Sequence, residues 1–179
     1  MSDANQLILL AEYNQLMNER LYAAASNLSY VQLNEDCGAF FKSVIGTLNH
    51  ILVGDIIWLK RFAVQPASQE VLSYISELEK PESLDAILFK DLNALNSERK
   101  KIDQIIVNWV AALPDDVLND CIAYQNMAGR SFNKPYVSLV HHLFLHQVHH
   151  RGQVTTLLSQ FGVDFGDTDL IEIIDECSV

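Results

Sequence analysis

Residues 136–161, with the sequence YVSLVHHLFLHQVHHRGQVTTLLSQF, decide the fold of this 179-residue chain. Pro135 stands just before this stretch, where its fixed φ suits a first helical turn, and Gly162 follows it, where glycine favours the end of a helix. Apolar side chains recur between them at helical spacing. The stretch therefore predicts a long helix that ends near Phe161, and it holds five of the six histidines.

Three further stretches show the same helical periodicity. The first covers residues 3–28, and the second begins near Asp36 and stops before Pro66. The third follows Ser83, a suitable N-cap, and ends before Pro114. A chain of this length is expected to be a single domain, here residues 1–179. Four long helices with short or moderate connections predict an all-α fold of the four-helix-bundle type.

The connections carry smaller features. Residues 121–126 and 130–133 are β-prone runs joined by Met127, Ala128 and Gly129, which predicts a hairpin-like insertion before the last long helix. Residues 66–81 are mostly polar and predict a loop with a short helical turn. Residues 167–176 favour one last short helix.

The charge balance restricts the partners of the protein. The chain has 12 Lys and Arg against 23 Asp and Glu, a formal net charge of −11. Such a field repels nucleic acid and anionic membrane surfaces, so we expect neither as a partner. Arg99, Lys100 and Lys101 form the single basic triplet, and we expect them on a solvated helix surface.

The cysteines and the N-terminal residues indicate the compartment. Cys37, Cys121 and Cys177 lie far apart and form no Cys-x-x-Cys pattern, which argues against a disulfide framework and a thiolate zinc site. Residues 1–6 lack the positive charge of a signal peptide, and Gly54 and Asp55 interrupt the apolar run before them. We therefore expect a cytoplasmic protein without a membrane span.

The histidines carry the clearest functional signal. His146 and His150 lie one helical turn apart, at about 100° per residue, on a face where two imidazoles can bind one metal ion. His141 points elsewhere. Two neighbouring surface histidines would show the same spacing, so the pair alone is a weak signal. Three further polar residues lie near the same face: His142, His149 and Gln153.

His50 strengthens the interpretation because it stands in a strongly apolar helix. Gly46 and Gly54 lie one turn before and after it, and each costs a helix interior about 1 kcal/mol relative to alanine. Room for a metal ion and its ligands is one reason for them, and close helix packing is the other. If His50 faces the same interior as His146 and His150, three neutral nitrogen ligands converge from two helices. Such a set suits Zn²⁺, Ni²⁺ or Fe²⁺ and leaves coordination positions open.

Two segments now reveal a resemblance to a known family. Residues 146–153, HQVHHRGQ, and residues 48–52, LNHIL, are similar to the motif of the DinB family within the broader DinB/YfiT-like metalloenzyme superfamily. The resemblance covers nearly the whole chain. It implies an antiparallel bundle, often a homodimer, with a divalent metal ion on three histidines that correspond to His50, His146 and His150.

The chain departs from the family pattern at Leu145 and Val148, where relatives more often have a polar residue. This departure leaves the hydrogen bonding of the ligands in question. His149 is then expected near the ligands, or as a ligand in place of His150.

Two functions of different classes follow from these residues. The first is a metal-dependent enzyme, a transferase that uses a small-molecule thiol or a hydrolase. The alternative is a non-catalytic metal-binding or stress-response interaction protein. Asp55 is expected on another face than His50, so no general base stands beside the histidines. Gln153 is interpreted as a hydrogen-bonding partner of substrate or metal water, or as a buried amide. Arg151 is interpreted as an anion contact or, preferably, a surface salt bridge.

Overall fold

A computed structural model describes residues 3–176. Seven α-helices occupy most of them. The long ones are α1 (Asp3–Ala25), α3 (Val44–Phe62), α5 (Leu92–Ala112) and α7 (Tyr136–Gln160). The short ones are α2 (Tyr30–Asn34), α4 (Ser73–Glu77) and α6 (Asp115–Leu118). Single 3₁₀ turns at Pro66–Ser68 and Leu170–Ile173 complete the helical elements of these residues. The prediction of a mostly helical fold is confirmed.

The predicted hairpin is also present. Strands β1 (Cys121–Gln125) and β2 (Ser131–Pro135) pair antiparallel, with Ala123 opposite Asn133. Gly129 has φ +77° in the turn between them, a conformation that glycine adopts without a steric penalty. Because β2 runs directly into α7, the hairpin lies beside the start of the histidine-rich helix.

The core lies where the long helices meet. Helix α1 packs against α5 and α7, and α7 packs against α3. Leucine, isoleucine and valine side chains fill the space between them, and Trp109 is fully buried, where its indole N–H donates to Ser68 Oγ at 2.9 Å. Two helices that contact each other along their length, α3 and α7, thus carry His50 and the other histidines.

Two helix starts differ from the prediction. Helix α3 begins at Val44 and not near Asp36, because the Ser43 hydroxyl accepts a hydrogen bond from Gly46 N and caps it there. Helix α5 begins at Leu92 and not after Ser83, because Asp91 is its N-cap: Asp91 Oδ1 accepts a hydrogen bond from Ala94 N at 2.9 Å. Apolar spacing extends past both starts, whereas capping decides where the helix begins.

The remaining expectations concern the termini, the thiols and the membrane. Helix α1 ends at Ala25, three residues earlier than predicted, and the predicted last helix is only the 3₁₀ turn Leu170–Ile173. Cys37 and Cys121 are free thiols, and Cys177 lies outside the described residues. Within residues 3–176, no helix has both the length and the apolar character that a membrane crossing requires.

Candidate metal centre

Three histidines converge between α3 and α7. One ring nitrogen from each of His50, His146 and His150 lies within 4.8 Å of the others. The ring centroids of His50 and His150 are 4.3 Å apart, and those of His146 and His150 are 4.4 Å apart. The structure thus brings together the three residues that the sequence singled out. Three imidazoles at this separation can share one divalent ion.

Hydrogen bonds fix the tautomers of two of these rings. His50 Nδ1–H donates to the Leu84 carbonyl oxygen at 2.7 Å, and His150 Nδ1–H donates to Gln153 Oε1 at 2.8 Å. The Nε2 atom of each neutral ring therefore carries a lone pair. These two Nε2 atoms lie only 3.1 Å apart. Two acceptors at that distance need a cation between them, either a proton or a metal ion.

Burial keeps the rings in the neutral form that binds a metal ion. Burial lowers the pKa of His50 and of His150, and hydrogen bonds to Leu84 and Gln153 oppose this in part. The effect is largest for His146, whose pKa falls to about 3 because burial and the neighbouring rings both disfavour its charge. The Nδ1 atom of His146 is buried and has no hydrogen-bond partner among the described residues. Proton competition for these nitrogens is therefore weak at neutral pH.

The two glycines of α3 serve different purposes. A methyl group on Gly54 would lie 2.6 Å from His146 Cε1, so this glycine makes room for the imidazole. A methyl group on Gly46 would instead collide with the Phe41 carbonyl oxygen. Gly46 therefore allows the loop before α3 to pack against the helix, whereas Gly54 is the glycine that contacts a ring of the histidine group.

The loop before α3 closes one side of the group. The Phe41 ring stacks on His50 with 3.7 Å between centroids and meets His150 edge-on at 5.6 Å. The adjacent Lys42 has φ +67°, which is uncommon for a residue other than glycine. The other side opens into a cavity of about 370 Å³, which His50, His146 and Trp58 line.

Known proteins resemble this chain over nearly its whole length. Residues 1–176 match the DinB family. The chain belongs to the DinB family. It is 25% identical over 162 residues to the protein named "Protein DinB" of Bacillus subtilis (strain 168), an alignment that covers 89% of this chain and 88% of that one. No solved structure matches the chain.

The other candidate residues of this DinB-family chain lie around the group. Gln153 is half-buried, and while its oxygen accepts from His150, its amide nitrogen donates to His149 Nε2 at 3.3 Å. His149 is exposed on the outer side of His150. His142 is also exposed and packs edge-on against Trp58 at 5.0 Å. His141 lies outside the three-histidine group.

His50 and His150 keep hydrogen-bond partners despite the departures at Leu145 and Val148, whereas the buried His146 Nδ1 has none among the described residues. Leu145 is 66% exposed and Val148 is 41% exposed, so both side chains point away from the group. The hydrogen bonds come from the Leu84 carbonyl and from Gln153 instead. The sequence could not indicate the first of these partners, because Leu84 belongs to a distant loop.

The sequence interpretation of the DinB-family chain was wrong for two charged residues, Arg99 and Arg151. Arg99, expected on a solvated surface, is 1% exposed, and Arg151, expected in a surface salt bridge or as an anion contact, is 6% exposed. Asp55 does face away from the cavity, but into the core, where it is fully buried. It accepts hydrogen bonds from Arg99 and from Gln147.

These residues belong to a buried polar network that joins the four long helices. Arg99 Nη2 lies 2.9 Å from Asp103 Oδ1, and Arg151 donates to Asn14 Oδ1. Asn18 Nδ2 contacts both Asp103 Oδ1, at 3.0 Å, and Gln147 Oε1, at 3.3 Å. Burial raises the pKa of Asp55, and the Arg99 guanidinium opposes this shift.

A signal for the network was present in the sequence. Asp55 continues the buried stripe that includes Leu48, Leu52 and Leu59. Arg99 likewise stands between Leu95 and Ile102 at core spacing. A charged residue at a core position predicts a buried partner, because an unpaired buried charge is too costly.

Proposed function

We propose that this DinB-family protein binds one divalent metal ion through His50, His146 and His150. We propose further that it is an enzyme whose reaction depends on this ion. The observation that carries the proposal is the 3.1 Å distance between His50 Nε2 and His150 Nε2. Each ring donates its hydrogen from Nδ1, to Leu84 or to Gln153, so both Nε2 atoms point lone pairs at the same place. A shared metal ion satisfies both lone pairs. Zn²⁺, Ni²⁺ and Fe²⁺ all accept such a neutral nitrogen set. The reaction class we favour is a thiol-dependent transfer, with hydrolysis as the other candidate.

A site with only three protein ligands favours an enzyme, because a metal ion bound there keeps coordination positions open for water or substrate. When bound, the ion would supply Lewis acidity and lower the pKa of a thiol or water beside it. The chain itself holds the ligand rings in place: Leu84 and Gln153 orient His50 and His150, and Phe41 packs against His50. Trp58, His50 and His146 line a cavity large enough for a small substrate.

Three wider expectations are part of the same proposal. The four long helices are arranged as one antiparallel four-helix-bundle domain, supported by the packing of α1 on α5 and α7 and of α3 on α7. The protein is a homodimer, as the family resemblance implies. It works in the cytoplasm, where its free cysteines would stay reduced.

The second candidate is a metal-binding protein without catalytic activity. One observation favours it: the carboxyl group of Asp55, which stands next to Gly54 in α3, is engaged by Arg99 and Gln147 and does not face the cavity. A general base would then have to come from substrate or solvent. A structural site is coordinatively closed and loses its fold when emptied, whereas a catalytic site keeps exchangeable water and leaves the fold intact.

The test is the metal content of the protein purified without an affinity tag. We expect about one divalent ion per chain by elemental analysis, and its loss in His50→Ala and His150→Ala. His141→Ala, which changes a histidine outside the group, should keep its metal. Equal loss from all three variants, or no metal in the wild type after reconstitution, would contradict the proposal. Circular dichroism of the metal-free protein then separates the enzyme, which stays folded, from the structural site.

A further inference from the structure

A second cavity adjoins the one at the histidine group. It has a volume of about 320 Å³, and the two cavities share Ile57 and Arg61 as lining residues. Helix α3 forms the common wall, since His50, Gly54, Ile57 and Arg61 follow one another along one side of it. At 1.5 Å per residue, His50 and Arg61 are separated by about 16 Å along the helix axis. A small elongated molecule can therefore reach both cavities.

The second cavity is positively charged. Lys60, Arg61 and Lys80 line it, and the lining residues of both cavities include neither Asp nor Glu among the described residues. Glu79 flanks Lys80 in the sequence but lines neither cavity. The chain has a formal net charge of −11, so most of its surface repels anions. The three cations of this cavity instead attract an anion locally.

Arg61 is held in place between the two cavities. Its guanidinium lies 4.3 Å from the Trp58 ring centroid and 4.8 Å from that of Tyr124. One of its nitrogens donates to the Gln125 carbonyl oxygen at 3.1 Å, which leaves its other N–H groups for a ligand. A guanidinium fixed by stacking loses little conformational freedom on binding and suits a carboxylate or phosphate.

The walls of the first cavity are mainly apolar. Ile57, Trp58, Leu84 and Met127 line it beside the histidines. Leu84 is 50% exposed and Met127 is 38% exposed, so apolar contact area is available at the opening. Met127 lies in the turn of the β1–β2 hairpin, so the insertion supplies part of the wall.

We infer that the two cavities form one binding site for an organic anion, whose reacting end lies at the histidine group and whose carboxylate or phosphate binds Lys60, Arg61 and Lys80. The apolar body of the molecule lies against Ile57 and Trp58. This inference rests on the proposed function for the reacting end, whereas the anion contacts belong to the chain alone.

The test compares two thiols that differ only in charge. 11-Mercaptoundecanoate and 11-mercaptoundecanol, whose extended chains are long enough to reach both cavities, are titrated into the Co²⁺-loaded protein, and the thiolate-to-cobalt absorption band gives each Kd. We expect the carboxylate to bind about tenfold more tightly, because it can pair with two half-buried cations, Lys60 and Arg61, and with the exposed Lys80. Lys60→Gln with Lys80→Gln, and separately Arg61→Gln, should reduce this preference to about twofold.

A matched control removes the same charge elsewhere. Lys90→Gln with Lys100→Gln removes two exposed cations that line neither cavity, and it should keep the tenfold preference. Equal affinity of the wild type for both thiols would overturn the inference. An equal loss of preference in the control pair would do so as well, because it would assign the effect to the overall charge.

A second measurement separates this inference from the proposed function. The metal-free protein is titrated with hexanoate and with hexanol, and binding is followed by NMR. A carboxylate preference that Lys60→Gln with Lys80→Gln abolishes would support the anion site even if the protein bound no cobalt. No preference in the metal-free protein would overturn the anion site and leave the metal proposal unaffected.

Discussion

Helix α7 carries two buried polar clusters on different faces, and they differ in how their charges are balanced. On one face, Gln147 and Arg151 join the network in which Arg99 lies against Asp55 and Asp103. Its two carboxyl and two guanidinium groups balance each other. On the other face, His146 and His150 meet His50, and this cluster consists only of bases. The first cluster pairs its charges within the chain, whereas the second offers neutral ring nitrogens that suit a metal ion.

This difference assigns separate roles to residues that are neighbours in the sequence. The charged network links α1, α3, α5 and α7, so it stabilises the packing that brings α3 against α7. The histidine group depends on that packing for its geometry. Stability and metal binding should therefore respond to different substitutions.

The largest effect is expected from breaking the charged network. Arg99→Met leaves Asp55 and Asp103 buried without their cation, so the free energy of unfolding should fall by about 3–5 kcal/mol. Chemical denaturation of the metal-free protein measures it. Arg130→Met, at an exposed position of the hairpin turn, should change it by less than about 0.5 kcal/mol. If Arg99→Met costs no more than this control, the network does not stabilise the fold.

A smaller effect, confined to the histidine group, is expected from Gly54→Ala. The new methyl group would stand 2.6 Å from His146 Cε1 and displace the ring, so the affinity for Zn²⁺ should fall about tenfold, or about 1.4 kcal/mol. Gly152→Ala in α7 gains the same helix propensity, of about 1 kcal/mol, with nothing within 4 Å of its methyl group. Competition with a chelator should show unchanged affinity in Gly152→Ala. A similar loss in both variants would contradict the role of Gly54.

A pH dependence of the metal-free protein tests the histidine group without a metal ion. Burial lowers the pKa of His146 from 6.5 to about 3, so protonation favours the unfolded chain. The contribution of this neutral ring is fully present above pH 6.5 and is lost as the pH falls toward 3. Urea denaturation between pH 7 and 4.5 should show falling stability, with a smaller decrease in His146→Ala. Bound Zn²⁺ should deepen the decrease, because protons compete for its ligands.

Much of the candidate site could be predicted from the sequence. The one-turn spacing of His146 and His150 is local, and a helix fixes the relative direction of two such side chains. Gln153 was found for the same reason. His50 was singled out because it stands in a strongly apolar helix between Gly46 and Gly54, and the resemblance to the DinB family supported it. The boundaries of α3 and α5 could not be read from apolar spacing, since Ser43 and Asp91 decide them through single hydrogen bonds.

The sequence by itself determined the long helices, the hairpin before α7 and the residues of the histidine group, because each depends on periodicity, turn residues or a local motif. Only the tertiary structure decided that His146 rests against Gly54, that Leu84 orients His50, and that Arg99 is buried between Asp55 and Asp103. These contacts join positions far apart in the chain. They depend on the rotation and register of packed helices, which are set by the whole core and not by any one segment.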